Sequence, residues 1–415
     1  MGKYIQFGKY NKNYKYIIIC TLFSLLAEYF MEFNIFDDKN ENENLVVHSI
    51  INGIYVHIFI FFLSSILYKS SFENQSITSE EEIKAGKMIL NIFIVVIIWE
   101  LIECIQDLIF NLIIFDYWAL GLLMISFVNS KIFKLNVYKH QKIAIIFNSI
   151  ISIVFQFSYF YIQLQSYEDD HIYIKYKWLI PIIIIMQLFL IFTEVYTITK
   201  LKFLMELEYI SPHKLLIFYG LIGIIIYFIF CISISFFKCP ALLKNYICEV
   251  RKNEGDYYIE NIFVYLEKFS NLDKIKTVKK LIIIVLGIIF NSLYMYYEVL
   301  IINYLSPIHY LFYNSIVRFI SDIISLIIDL ISNKDSETEI ILSIVGNFFC
   351  LIGFLIYLEI IELNFCQLNY NIRARIDERG KGDLNDNIIC EYEEESDDKI
   401  LLDSNSSNSE LSTKI

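Results

Sequence analysis

The chain has 415 residues, 56% of them hydrophobic, with a mean hydropathy of +0.53. No soluble fold needs so many apolar runs of about 20 residues, the length that crosses ~30 Å of hydrocarbon, so an ordinary soluble domain is excluded. Half of the formal net charge of -12 falls on residues 373–415, which hold twelve Asp and Glu against six Lys and Arg.

Taken in chain order, the apolar segments predict an all-α polytopic membrane protein of about ten transmembrane helices. The predicted spans are residues 14–33, 45–68, 88–110, 113–133, 142–162, 178–199, 213–236, 280–303, 308–332 and 340–363. Five spans lie on each side of residues 163–177. Because five is an odd number, the second set would be inverted relative to the first, which gives two inverted five-helix repeats.

This pattern divides the chain into five parts. They are a cytosolic N-terminus (1–13), a first five-helix repeat (14–162), an outer linker (163–177), a second five-helix repeat (178–363) with a luminal loop at 238–279, and an acidic disordered cytosolic tail (364–415). The tail is rich in charge and poor in aromatic residues, the composition of a segment that cannot bury enough apolar surface to fold.

Two similar passages indicate an internal duplication. Residues 22–30 (LFSLLAEYF) reappear as residues 188–196 (LFLIFTEVY), and each copy places one glutamate, Glu28 or Glu194, inside an apolar span. These glutamates are 166 residues apart, whereas the later pair Asp107 and Glu298 is 191 apart, which implies an insertion of about 25 residues. Chance similarity between Leu-, Ile- and Phe-rich helices is the alternative.

Charged residues inside spans are candidates for a transport path. A charge at the bilayer centre costs roughly 2.5–3.5 kcal/mol or more, so it usually faces a cavity or a partner. Glu28 and Glu194 are therefore expected to reach a common central cavity. Glu100, Glu103 and Asp107 share one face of the third span at i, i+3 and i+7, where they either line the cavity or form a solvated helix end.

Three further charges lie in the second half. Arg318 and Asp322 are four residues apart on the ninth span, so they could neutralise each other, or Arg318 could bind an anionic solute. Glu298 follows three tyrosines of the eighth span, whose rings could pack a planar or cationic solute. In the second span, His57 could relay protons, but ordinary hydrogen bonding between helices is the favoured interpretation.

Basic residues in short loops set the orientation. The N-terminal segment and the fourth and sixth connections are rich in lysine, so these three and both termini are predicted to be cytosolic. The loop at 238–279 disagrees, because it carries eight Lys and Arg yet falls on the outer side.

Three passages resemble the drug/metabolite transporter superfamily. They are the fourth span with its basic turn (126–142), the entry to the seventh span with Ser211-Pro212 and two glycines (209–223), and the turn at Ser306-Pro307 (303–309). The nearest branches are the nucleotide-sugar-transporter-like solute carriers (family 35) and the chloroquine-resistance-transporter-like proteins. The resemblance covers roughly residues 14–363 and implies ten helices in two inverted repeats with cytosolic ends.

The same resemblance offers an account of the loop that breaks the charge rule. In chloroquine-resistance-transporter-like proteins the loop after the seventh helix faces an organelle lumen and is linked by cysteines. Cys239 and Cys248 stand in the matching place, so a disulfide between them is expected, with two thiols as the alternative. None of the eight cysteines forms a metal-ligand spacing, and no cofactor motif is present.

The tail contains one sorting motif. Asp397, Leu401 and Leu402 fit the acidic dileucine pattern that cytosolic adaptors read, although so short a pattern also arises by chance. The expected location is the endolysosomal or vacuolar membrane, with the Golgi, the ER and the plasma membrane left open.

These features predict a secondary transporter, not an enzyme, that moves a small polar or charged metabolite by alternating access and is open to proton coupling. The alternative is a polytopic membrane-embedded transferase, which is disfavoured because such enzymes usually carry large loops and the loops here are short. Ten spans argue against a seven-helix receptor. Expected partners are the solute, protons, the bilayer and a sorting adaptor, with a homodimer left open and no nucleic acid.

Overall fold

The computed structural model describes residues 5–7, 12–36, 49–71, 90, 92–102, 118–131, 137–166, 178–207, 210–238, 250–253, 256–258, 261–263, 274–332 and 337–363. Within these residues the chain forms ten α-helices. They are α1 (Lys15–Phe36), α2 (Ser49–Ser71), α3 (Ile92–Ile102), α4 (Trp118–Lys131), α5 (Lys139–Ser166), α6 (Leu179–Leu207), α7 (Pro212–Phe236), α8 (Lys274–Tyr304), α9 (Pro307–Ser332) and α10 (Glu337–Tyr357).

Each predicted span overlaps one of these helices, which confirms the helical class. Six of them, α2 and α6 to α10, are long and apolar enough to cross a bilayer. The other four predicted spans coincide with α1, α3, α4 and α5, of which α3 and α4 are short apolar helices in the part described. The fold is therefore that of a multi-pass membrane protein.

Four short strands lie outside the helices. They are β1 (Ile5–Phe7), β2 (Val250–Asn253), β3 (Asp256–Tyr258) and β4 (Ile361–Leu363). The strand β1 pairs antiparallel with β4, so that Ile5 faces Leu363 and Phe7 faces Ile361. This pairing places the segment before α1 beside the segment after α10, as expected if the two ends of the helical region share one side of the membrane.

Further contacts gather helix ends at the same end of the bundle. Asn13 donates a hydrogen bond to the carbonyl of Tyr304, where α8 ends, and Lys202 near the end of α6 donates to the carbonyl of Asn303. Nε2 of His140, at the start of α5, lies 3.2 Å from Oε1 of Glu359, just past α10. The predicted cytosolic connections therefore lie together.

Tyr14 precedes α1 at this end. Its ring packs against His309 at the start of α9. Burial raises the pKa of its hydroxyl, and the negative charge of Glu359 raises it further, so the hydroxyl keeps its proton at neutral pH.

The two Ser-Pro turns identified in the sequence, at residues 211–212 and 306–307, lie at the starts of α7 and α9. The Ser211 side chain accepts a hydrogen bond from the backbone N–H of Lys214, and Pro212 opens α7 where its missing N–H costs nothing. Ser306 plays the same part before α9, where its hydroxyl accepts a 3.4 Å hydrogen bond from the backbone N–H of His309 and contacts Nδ1 of the same residue at 2.7 Å.

The most extensive helix contacts are those of α2 with α7, α1 with α8, and α5 with α10. All three pairs run antiparallel. Gly53 of α2 meets Tyr227 of α7, whereas a later residue of α2, Phe61, meets an earlier residue of α7, Gly220. Between α1 and α8, Tyr16 stacks on Tyr304 and the later residue Phe30 stacks on the earlier residue Phe290, so these helices are also antiparallel. Between α5 and α10, Asn148 meets Gly353 and Phe155 meets Gly346, which gives the same direction.

Glycines allow two of these pairs to approach closely. The His57 ring of α2 occupies the space where Gly223 of α7 lacks a side chain, and Asn148 of α5 does the same at Gly353 of α10. Any larger residue at either glycine would overlap the facing polar side chain. Each crossing therefore combines a glycine on one helix with one polar side chain on the other.

At the opposite end, the loop after α7 is held against that helix. Asn261 donates a hydrogen bond to the carbonyl of Ser235, and the Ser235 hydroxyl accepts one from the backbone of Ile262. The hairpin β2–β3 belongs to this loop, and Tyr258 pairs with Lys238 in an isolated bridge. The predicted luminal loop thus lies away from the paired termini.

Candidate functional site

The core of the bundle holds two buried acids near one buried tyrosine. Glu194 of α6 and Glu298 of α8 are 5% and 3% exposed. The hydroxyl of Tyr310, on α9, donates a hydrogen bond of 3.2 Å to Oε1 of Glu194. Glu298 lies within electrostatic range of the same hydroxyl. Two acids that the sequence placed on different spans therefore lie near one buried tyrosine, which bonds directly to Glu194.

The remaining walls of this acidic site are aromatic and come from both halves of the chain. The Tyr313 ring of α9 lies between those of Tyr310 and Tyr294, with centroids 6.4 Å from each. The first half contributes Cys20 of α1, whose thiol contacts the carbonyl of Tyr294 and lies near Glu298. Such a site combines negative charge with ring faces, the two features that bind cations.

A second buried pair lies where α2, α3 and α7 meet. Nε2 of His57 is 3.1 Å from Oε2 of Glu100, and both side chains are completely buried. Nδ1 of His57 lies 2.6 Å from the carbonyl of Gly53. The rings of Tyr219 and Tyr227 are each 5.0 Å from the imidazole, centroid to centroid. We call this arrangement the His57–Glu100 dyad.

Glu28 has a different environment from its proposed equivalent. It is exposed, and its Oε1 accepts a hydrogen bond of 2.6 Å from Ser321 of α9. Glu194 bonds to Tyr310, eleven residues earlier on α9, which corresponds to a rise of about 16 Å along the helix. Both glutamates therefore contact one helix, but at separate heights and not at one point.

Asp322 joins α9 to α10. Its Oδ2 accepts hydrogen bonds of 2.7 Å from both Ser343 and Asn347. Arg318, one turn earlier on α9, is half-buried, as Asp322 is. The carboxylate predicted to pair within its own helix thus also holds two helices together.

Several predicted residues lie outside the described residues. They are Glu103, Asp107, Cys239, Cys248, Asp397, Leu401 and Leu402. Among the residues that are described, no three His, Cys, Asp or Glu side chains are close enough together to hold a metal ion.

Sequence reasoning missed the partners that define both buried sites. Tyr310 is one of 31 tyrosines, and no spacing marks it as the residue between two acids. His57 and Glu100 are 43 positions apart, so the sequence did not indicate their pairing, and the favoured interpretation of His57 named no acid. One usable signal was available, since two buried titratable residues on neighbouring spans often pair.

The fold and these sites define the class: a helical, multi-pass membrane protein with titratable residues buried among its apolar helices. No family model matches the chain, and no curated protein sequence does so either.

Proposed function

We propose that this protein is a secondary transporter that moves a small polar or charged metabolite across an organellar membrane by alternating access. The observation that carries the proposal is the buried pair Glu194 and Glu298 around Tyr310. Burying two carboxylates among apolar helices is unfavourable unless each is protonated, paired or bound to a cation. A fold that needed only stability would gain by replacing them with apolar residues.

The position of the acidic site favours transport. Its side chains come from α1, α6, α8 and α9, so they join the first and second halves of the chain. In secondary transporters, substrate and coupling-ion sites lie at the interface of two repeats near the bilayer midplane. A proton or a cationic group of the solute would satisfy the two acids there.

The helix pairs support two inverted five-helix repeats. In such an arrangement each helix of the first half is equivalent to the helix five places later. Replacing every helix by its equivalent converts the contact of α2 with α7 into itself, and likewise the contact of α5 with α10. The same exchange turns α1 on α8 into α6 on α3, a contact made by Leu190 and Ile102. Equivalent helices of inverted repeats run in opposite directions, as α2 and α7 do.

The residue offset agrees with this arrangement. The contact of α2 with α7 is centred where His57 meets Gly223, which are 166 positions apart. Glu28 and Glu194 have the same offset. A ten-span architecture like that of the drug/metabolite transporters, with α1 and α6 among the moving elements, fits both observations.

The test is uptake by the full-length protein in proteoliposomes, with and without a pH gradient, against a panel of small polar and charged metabolites. We expect Glu194→Gln and Glu298→Gln to lower uptake about tenfold or more, because glutamine keeps the size of the side chain but can neither bind a proton nor pair with a cation. Glu206→Gln is the matched control, because Glu206 lies on α6 but its side chain is 58% exposed. Wild-type uptake in both site variants would remove these acids from the mechanism.

The alternative is a membrane-embedded transferase, and the His57–Glu100 dyad is the feature that favours it. Such a dyad could act as a general base. Both side chains, however, are completely buried beneath Gly223 and two tyrosine rings, which leaves no access for a substrate. Transport therefore accounts for the arrangement better than catalysis does.

A further inference from the structure

We propose that the His57–Glu100 dyad is a proton-binding site whose loss of one proton opens the contact between α2 and α7. The role of this opening in transport rests on the proposed function, but the proton site itself does not.

The partners of the two side chains determine where the hydrogens of the dyad lie. The carbonyl of Gly53 can only accept, so Nδ1 of His57 carries the hydrogen of their 2.6 Å bond. Nε2 and Oε2 of Glu100, 3.1 Å apart, then need one more hydrogen between them. One shared proton would satisfy this contact, either as neutral histidine with carboxylic acid or as imidazolium with carboxylate.

Loss of the shared proton is unfavourable while the dyad is buried. Without it, a lone pair of Nε2 would face a buried carboxylate, which is repulsive and leaves a negative charge out of water. Oε1 of Glu100 has no hydrogen-bond partner among the described residues, so nothing described would compensate that charge. Deprotonation therefore requires water to enter the dyad.

Close packing keeps water out of the dyad while α2 and α7 are in contact. The imidazole fills the gap above Gly223, and a side chain at Gly220 would meet the backbone of Phe61. Deprotonation must therefore accompany separation of the two helices. Since α2 belongs to the first half of the chain and α7 to the second, the proton is linked to a movement between the halves.

The neighbours of the dyad that the described contacts identify carry no charge at neutral pH. From α7 these are the rings of Tyr219 and Tyr227, and from α8 the hydroxyl of Ser292, which bonds the carbonyl of Val56. Trp99 packs beside Tyr219 from α3. Among the described residues, His57 is the only charged group that acts on Glu100.

Cys231 provides a reporter for the opening. Its side chain is completely buried in a cluster with Ile51 of α2 and with Tyr227 and Ile234 of α7. The measurement is the rate of maleimide labelling of reconstituted full-length protein whose other seven cysteines are replaced by alanine. Only the thiolate reacts, so each rate is divided by that of an exposed single cysteine, Lys131→Cys, at the same pH.

We expect the normalised rate to rise between about pH 5.5 and about pH 8.5, a range that brackets an ordinary histidine. One linked proton allows a rise of at most about tenfold per pH unit. Glu100→Gln should label slowly at every pH, because its amide donates to Nε2 and has no proton to lose. Glu206→Gln is the matched control and should follow the wild type.

Two results would overturn the proposal: a normalised wild-type rate that does not change with pH, or the same pH dependence in Glu100→Gln. Infrared difference spectra between the two pH values are a second measurement that needs no labelling. They should contain a carboxyl or imidazolium band that Glu100→Gln removes, and identical spectra would count against the site. Neither measurement depends on uptake, so failure of the transporter proposal would be seen separately.

Discussion

Tyr310 is the residue on which the acidic site depends. It donates to Glu194, lies near Glu298 and packs against Tyr313 in the same aromatic wall. Its role can therefore be tested by removing a single oxygen atom.

We predict that Tyr310→Phe lowers uptake by about five- to 100-fold while the protein still reaches the membrane. The ring and its packing remain, but Glu194 loses a hydrogen bond worth roughly 1–3 kcal/mol in a buried setting. Tyr161→Phe is the control, because that side chain is 63% exposed. Unchanged uptake in Tyr310→Phe would show that the hydroxyl is dispensable.

At the scale of helices, the glycine crossings determine how the bundle packs. The His57 ring against Gly223, and Asn148 against Gly353, let helices of the two halves approach closely. Membrane helices associate mainly through such packing and through hydrogen bonds, since lipid is as apolar as the side chains it replaces. A methyl group at either glycine therefore tests whether the crossing is needed.

We predict that Gly223→Ala lowers the free energy of unfolding by roughly 1–3 kcal/mol, the usual cost of overpacking. The added Cβ would overlap the His57 ring, which Glu100 and Gly53 hold in place. Thermal unfolding in detergent micelles measures the loss. Gly121→Ala is the milder control, because its Cβ would meet only the flexible end of Leu311, at 3.2 Å.

A double variant shows whether this clash is the cause. His57→Ala removes the ring, so adding Gly223→Ala to it should cost less than Gly223→Ala alone. Residues in direct contact typically show coupling energies of roughly 0.5–3 kcal/mol. Additive losses would mean that the glycine matters for some other reason.

At the scale of the whole molecule, the ends of the helical region lie together. Pairing of β1 with β4, and the contacts of Asn13 and His140, place the start of α1, the start of α5 and the end of α10 at one end. The loop after α7 is held at the other end by Ser235. An even number of membrane crossings would place both ends of the helical region on one side, as these contacts require.

We predict that single cysteines at Lys131 and Asp256 are labelled from opposite sides of the membrane. Lys131→Cys should react with an impermeant maleimide from the cytosol, because it belongs to the basic fourth connection. Asp256→Cys should react only from the lumen. Labelling of Asp256→Cys from the cytosol alone would contradict the ten-span arrangement.

The sequence alone predicted the helical membrane class and the approximate position of each helix that the structure describes. Apolar length and the turns at Ser211-Pro212 and Ser306-Pro307 are local properties, so each could be recognised without knowing its neighbours. The sequence also identified Glu194, Glu298 and Glu100 as charges that need a partner, because an ionised group in an apolar span is unfavourable wherever the helix packs.

Only the tertiary structure decided which residues are the partners of these charges. Glu194 and Glu298 meet at Tyr310, whereas Glu100 meets His57, and Glu28 lies exposed beside Ser321. These choices depend on which helices pack together and at what height, and those in turn depend on where a glycine permits close approach. A glycine and a histidine 166 positions apart carry no mutual signal until α2 and α7 are brought into contact.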